Sequence, residues 1–186
     1  EKNNIVFQKP ANMTTVDSFF IYREGIVTDQ YDLIAKLGAN DFSAFTDTTS
    51  FPKQQAYNYK MAIKFKDATL SGMTTVHKTM HLQVSKGQTD AIWNLAWTPY
   101  LGINVATYEI YRGLDSLSLS YLSSVSGNFT TFTDNNAPSG AYYQVVILGT
   151  TCTPANGPLP AKLPQVLGGS YTEVKSNIDK IKDGSI

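Results

Sequence analysis

The chain repeats itself. Phe20-Ile21-Tyr22-Arg23 recurs as Glu109-Ile110-Tyr111-Arg112, an offset of 89 residues. Leu33-Ile34 recurs as Tyr121-Leu122 at 88, and Phe45-Thr46-Asp47 recurs unchanged as Phe132-Thr133-Asp134 at 87. Tyr57-Asn58-Tyr59-Lys60-Met61 recurs as Ala141-Tyr142-Tyr143-Gln144-Val145 at 84. The blocks keep their order, and the offset drifts as loop-length changes between homologous units make it drift. The fold must therefore be built twice, from a unit of roughly 90 residues, a normal size for a domain.

The unit is made of strand material. In residues 57–66, Tyr57, Tyr59, Met61, Ile63 and Phe65 alternate with polar residues, the period of a pleated strand. Short runs of the same kind surround Ile5-Val6-Phe7, Phe19-Phe20-Ile21 and Leu33-Ile34, and residues 74–84 read as one more extended run. Turn residues punctuate the chain about every ten positions, the rhythm of a β-sandwich. No stretch carries a capped 3.6-residue period over ten or more residues; residues 172–181 come nearest to a helix. The 42% of hydrophobic residues suffices for packed cores.

The composition excludes several functions. Fifteen basic residues balance fifteen acidic ones, so there is no basic face for nucleic acid and no electrostatic attraction to a membrane. No apolar run approaches a membrane span, so no direct membrane insertion is expected. One cysteine, Cys152, rules out a disulfide framework or a cysteine-rich zinc site. His77 and His81 are four apart on a run read as a strand, about 13 Å of separation, too far to share an ion. Cys152 lies in an expected loop with no histidine near it, and there is no Gly-x-Ser-x-Gly elbow or glycine-rich phosphate loop. The Asp47-Thr48-Thr49 and Asp134-Asn135-Asn136 triplets read as turns whose side chains bond their own backbone, rather than as calcium loops. The expectation is no enzyme, no cofactor and no metal.

Each unit resembles a fibronectin type III domain. The residues carrying the resemblance are Leu95-Ala96-Trp97-Thr98-Pro99, Thr107-Tyr108-Glu109-Ile110-Tyr111-Arg112, Phe132-Thr133-Asp134 and Tyr142-Tyr143-Gln144-Val145. The paired blocks, and Val174-Lys175-Ser176-Asn177-Ile178 near the end, are similar to paired modules of large secreted bacterial surface proteins. The resemblance implies an all-β chain of two tandem immunoglobulin-like sandwiches, residues 1–85 and 86–186. It makes Trp97 the core anchor of strand B in the second unit, with Phe7 in its place in the first. The second unit departs from that pattern by a long insertion between strands F and G, at about residues 149–169 and rich in proline, followed by a C-terminal tail.

In the first unit six runs precede the boundary, and nothing precedes Ile5-Val6-Phe7 to act as strand A. The first sandwich is thus expected to lack strand A, and upstream domains of the same polypeptide are expected to supply it. Strand parity places Tyr108, Ile110, Tyr143, Val145 and Ile147 inward, and Glu109, Tyr111, Tyr142, Gln144 and Val146 outward. Phe20, Tyr22, Tyr111 and Tyr142 form the candidate interaction surface, a sheet face suited to a protein or glycan partner. The function that follows is a non-catalytic spacer or adhesion element, secreted or on the cell surface. The alternative is a carbohydrate- or protein-binding accessory module of a secreted enzyme.

Overall fold

The computed structural model describes residues 1–154 and 171–181. Among them every regular element is a strand, as the alternation predicts. The second unit shows the full plan. Strands β7 (Leu82–Lys86), β8 (Trp93–Trp97) and β11 (Thr131–Asp134) form one sheet in the order β11-β8-β7. Facing it are β9 (Thr107–Gly113), β10 (Ser120–Ser126), β12 (Tyr142–Cys152) and β13 (Tyr171–Lys175), in the order β10-β9-β12-β13, with β14 (Asp179–Lys180) also on β12. A three-stranded sheet against a five-stranded one is an immunoglobulin-like sandwich.

The first unit repeats the plan with six strands where the second has eight. Strands β2 (Val16–Glu24), β3 (Tyr31–Gly38), β5 (Asn58–Phe65) and β6 (His77–Lys78) form the sheet β3-β2-β5-β6. Opposite lie only β1 (Asn3–Val6) and β4 (Ala44–Asp47). The register confirms the repeat residue by residue. Tyr22 faces Leu33 and Tyr111 faces Tyr121, and one extra residue, Ile34 or Leu122, bulges from the partner strand in both units. Asn3 opposes Asp47 as Trp93 opposes Asp134, so Ile5 and Phe7 take the places of Leu95 and Trp97.

The core of the second unit is assembled by parity. Trp93, Leu95 and Trp97 alternate inward from β8 against Tyr108, Ile110, Tyr143, Val145 and Ile147, all at most 6% exposed. Trp97 meets Tyr108 edge to face at 5.4 Å, and in the first unit Phe7 meets Phe19 at 5.0 Å.

Several expectations are corrected. Residues 74–84 are not one strand closing the first sandwich. His77–Lys78 pairs with β5, whereas Leu82–Lys86 pairs with β8 as the first strand of the second. The crossing between sandwiches thus falls at residues 79–81, ahead of the expected 85/86 division. Both halves of the run are apolar–polar strand sequence, and only pairing separates them. Residues 172–181 hold two strand pieces, all but the first residue of β13 and all of β14, paired to β12 through Val174 and Asp179. Cys152 ends β12 opposite Tyr171 and is half-buried, not in a loop. Val146, expected outward, is nonetheless buried between Glu109 and Lys175 on the flanking strands. Residues 155–169 of the expected F–G loop and residues 182–186 of the tail lie outside the described residues.

Candidate functional site

The constellation closest to catalytic chemistry occurs twice. In the first unit Asp47 closes β4 under β2 and β5. Its Oδ2 accepts from Arg23 Nη1 at 2.7 Å and from the Tyr59 hydroxyl at 2.8 Å. Its Oδ1 accepts from the Thr49 amide at 3.0 Å and the Thr49 hydroxyl at 2.7 Å. In the second unit Asp134 Oδ2 accepts from Arg112 Nη1 at 2.7 Å and the Tyr143 hydroxyl at 2.8 Å, and Oδ1 accepts from the Asn136 amide at 3.0 Å. The self-bonded turns read from the sequence are present in both. The arginine and tyrosine were not anticipated, although all three residue types stand in matched blocks of the repeat.

Burial alone would raise both carboxyls. In Asp47 the hydrogen bonds from Thr49, Tyr59 and Arg23 outweigh it, and in Asp134 those from Asn136, Arg112 and Tyr143 do. Both carboxyls are held below the ordinary aspartate value. Burial, with the carboxylate beside it, drives the Tyr143 phenol far above its ordinary value; burial does most of the same for Tyr59. An ionised carboxylate with its lone pairs occupied, and a phenol locked protonated, neither give nor take protons near neutrality. The constellation is a strut joining β4, β2 and β5 in the first unit and β11, β9 and β12 in the second.

The four residues of the candidate interaction surface fall into separate groups. Phe20 and Tyr22 lie together on the outer face of β2, ring centroids 6.4 Å apart, but Tyr22 is only 9% exposed. Phe20 is flanked by the ammonium groups of Lys36 at 5.0 Å and Lys64 at 6.0 Å, and Lys60 lies 4.2 Å above the Tyr31 ring. Tyr111 packs edge to face on Tyr121 at 6.1 Å and donates to Glu109 at 2.9 Å. Tyr142 lies under Lys180 at 5.2 Å. Tyr111 is directly opposite Gln144, so Tyr142 is a diagonal neighbour. Trp93 is buried and donates its indole N–H to the Asp90 carbonyl.

The junction between sandwiches places the two histidines apart. His77 Nδ1 lies 2.9 Å from the Tyr100 hydroxyl of the second unit, and burial lowers its pKa. His81 Nδ1 donates to the Pro52 carbonyl of the first unit at 2.9 Å. Lys78 and Leu101 exchange both backbone hydrogen bonds, at 3.2 and 3.3 Å. Glu1 accepts from the Ile178 amide at 3.1 Å. Among the described residues no group of three His, Cys, Asp or Glu could hold a metal ion. A shallow depression of about 460 Å³ beside β9 and β12 contains one ionisable side chain, Glu109. Burial raises the Cys152 thiol, so it is not an activated nucleophile.

No family model matches the chain. No curated protein matches it. Among solved structures it is similar to a two-domain fibronectin type III segment from chicken tenascin, at 13% identity, 97% coverage of each chain and a TM-score of 0.33. It is also similar to the FN1-FN3 domains of chicken CNTN1, at 10% identity and a TM-score of 0.33, covering 97% of this chain and 59% of that one. At 0.33 these superpositions are loose. The all-β, tandem immunoglobulin-like architecture rests on the strand order and register above.

Proposed function

We propose that the chain is a non-catalytic tandem module of an exported or cell-surface protein, a spacer that sets the distance and orientation of what it joins. The observation that carries this reading is the junction. Only residues 79–81 separate the last strand of one sandwich from the first of the next, and side-chain and backbone bonds run across the gap on both sides of it. So short a joint, tied by hydrogen bonds, leaves little freedom of hinge motion.

Small-angle scattering tests it. One interdomain arrangement is expected to fit the profile of the chain. Gly102→Ala is expected to broaden it, because Gly102 has φ +114° and a Cβ there would lie 2.4 Å from His77 Nδ1. A wide spread of interdomain angles in the unaltered chain would sink the spacer reading.

A second reading has its own observation. Phe20 with Lys36 and Lys64, and Tyr31 with Lys60, offer apolar rings and ammonium groups on one sheet face. That combination suits a glycan or protein ligand and an accessory role beside a secreted enzyme. Glycan-array binding that disappears in Phe20→Ala would favour this reading over a pure spacer.

A further inference from the structure

Histidine is the one side chain that ordinarily changes charge between pH 5 and pH 8. This sequence has two, and the fold puts both at the joint between the sandwiches. They tie it from opposite sides. His77 belongs to the first sandwich, on β6 opposite Tyr59, and its ring reaches Tyr100 of the second. Tyr100 is fixed there, its amide donating to the Tyr108 hydroxyl at 3.2 Å. His81 belongs to the second sandwich: its amide donates to the Thr98 hydroxyl at 2.8 Å, and its carbonyl accepts from the Thr98 amide at 3.1 Å. Its ring reaches back to Pro52 of the first.

Both ties use Nδ1. In His81 that leaves Nε2 a bare acceptor, sealed in without a partner, on a residue only 7% exposed. A proton added there makes a charged N–H with nothing to accept it, a costly state in a buried site. The His77 ring meets the Tyr100 ring edge to face at 6.0 Å, and burial lowers its pKa. Burial also raises the Tyr100 phenol, so that group stays protonated and supplies no countercharge.

The surroundings do not favour a further positive charge. Lys78 follows His77, Lys53 follows Pro52, and Lys2 donates to the Ser50 carbonyl at 2.7 Å. On the first sandwich Tyr57 is bonded through its backbone to Thr79. The carboxylates on these segments already hold donors: Glu1 the Ile178 amide, Glu24 the Asp29 amide and Asn58, Asp47 Arg23 and Tyr59. Beyond His81 the last segment clasps β7. Asn177 accepts from the Leu82 amide at 2.7 Å and donates to the Leu82 carbonyl at 2.9 Å, and Asp179 accepts from the Val84 amide at 2.8 Å.

We propose that the joint is a pH-sensitive latch, fixed while His77 and His81 are neutral and released into a hinge when they take up protons. The latch rests on the spacer reading and adds a condition to it: the spacing is rigid in neutral surroundings and yields in acidic ones. An opened joint gives both rings to water, so protons favour it. The closed joint is fully stable above the ordinary histidine value of about 6.5 and weakens as pH falls below it. A histidine held neutral in the closed joint and free in the open one raises the open-to-closed ratio up to about thirtyfold by pH 5.

The Lys78 and Leu101 amides report on the joint, because each is bonded across it. Ile21 and Ile110, both fully buried, report on the two cores. Hydrogen-exchange protection factors are compared at pH 7.5 and pH 5. Protection at Lys78 and Leu101 is expected to fall about tenfold or more while Ile21 and Ile110 hold, over the range in which NMR shows the two rings titrating. The double variant His77→Asn, His81→Asn keeps an amide near each Nδ1 position and cannot take up a proton, so it is expected to lose the pH response. Scattering at pH 7.5 tests the spacer reading separately, and a wide spread of angles there overturns both. One arrangement at pH 7.5, with protection unchanged at pH 5, overturns the latch and leaves the spacer. So does protection lost outside the range in which the rings titrate, or lost equally in the double variant.

Discussion

Asp47 and Asp134 are each only a few per cent exposed, and what keeps them charged is the set of donors around them. Removing one donor should therefore be costly. Tyr143→Phe is expected to cost about 1.5–3 kcal/mol at pH 7, the usual range for a hydrogen bond to a charged group. The sign of the pH dependence follows from the depressed carboxyl. Stability drawn from a group held below its unfolded value is complete above that value, near pH 4, and is lost as pH falls through the folded one. The penalty of Tyr143→Phe should thus shrink in urea titrations carried below pH 4 through the folded-state titration of Asp134. A penalty that stays constant as pH falls until the Asp134 carboxyl, followed by NMR, is protonated in the folded chain would show that the phenol merely packs.

Strands β1 and β8 occupy the same place in their sandwiches and differ in what covers them. Trp97→Ala is expected to cost about 3–5 kcal/mol, the range for deleting a large aromatic from a packed core. Phe7→Ala removes a ring that is already partly exposed and should cost about half as much or less. Equilibrium denaturation of the two variants checks this; equal losses would mean that β1 is as well covered as β8. The sequence made these strands legible because each alternates cleanly and because the repeat aligns Phe7 with Trp97. The division at residues 79–81 was not legible, since hydrogen-bonded partners, not local residues, decide which sheet a strand joins. The burial of Tyr22 and Val146 was missed for a related reason. Parity gives the face of a sheet, whereas the cover on that face comes from the neighbouring strands. The Arg–Asp–Tyr struts join residues 12 to 24 apart in the first unit, beyond the reach of any turn rule.

At the scale of the whole molecule, the two units differ in how they carry tension. Strand β7 and residues 177–179 run parallel, Leu82 beside Asn177 and Val84 beside Asp179. A pull between residues 82 and 181 slides one strand along the other, and the three clasping bonds are loaded together. In the first unit β1 begins at the junction, where Lys2 donates to Ser50 and Glu1 meets Ile178, and β6 ends at the same junction. A pull between residues 1 and 78 peels β1 from β4 one pair at a time. Stretched in a force spectrometer by residues 1 and 181, the chain should yield in two steps, the first unit well before the second; forced unfolding follows the unfolding rate of each unit. The first sandwich is thus the mechanical fuse of the pair, giving way while the second still holds.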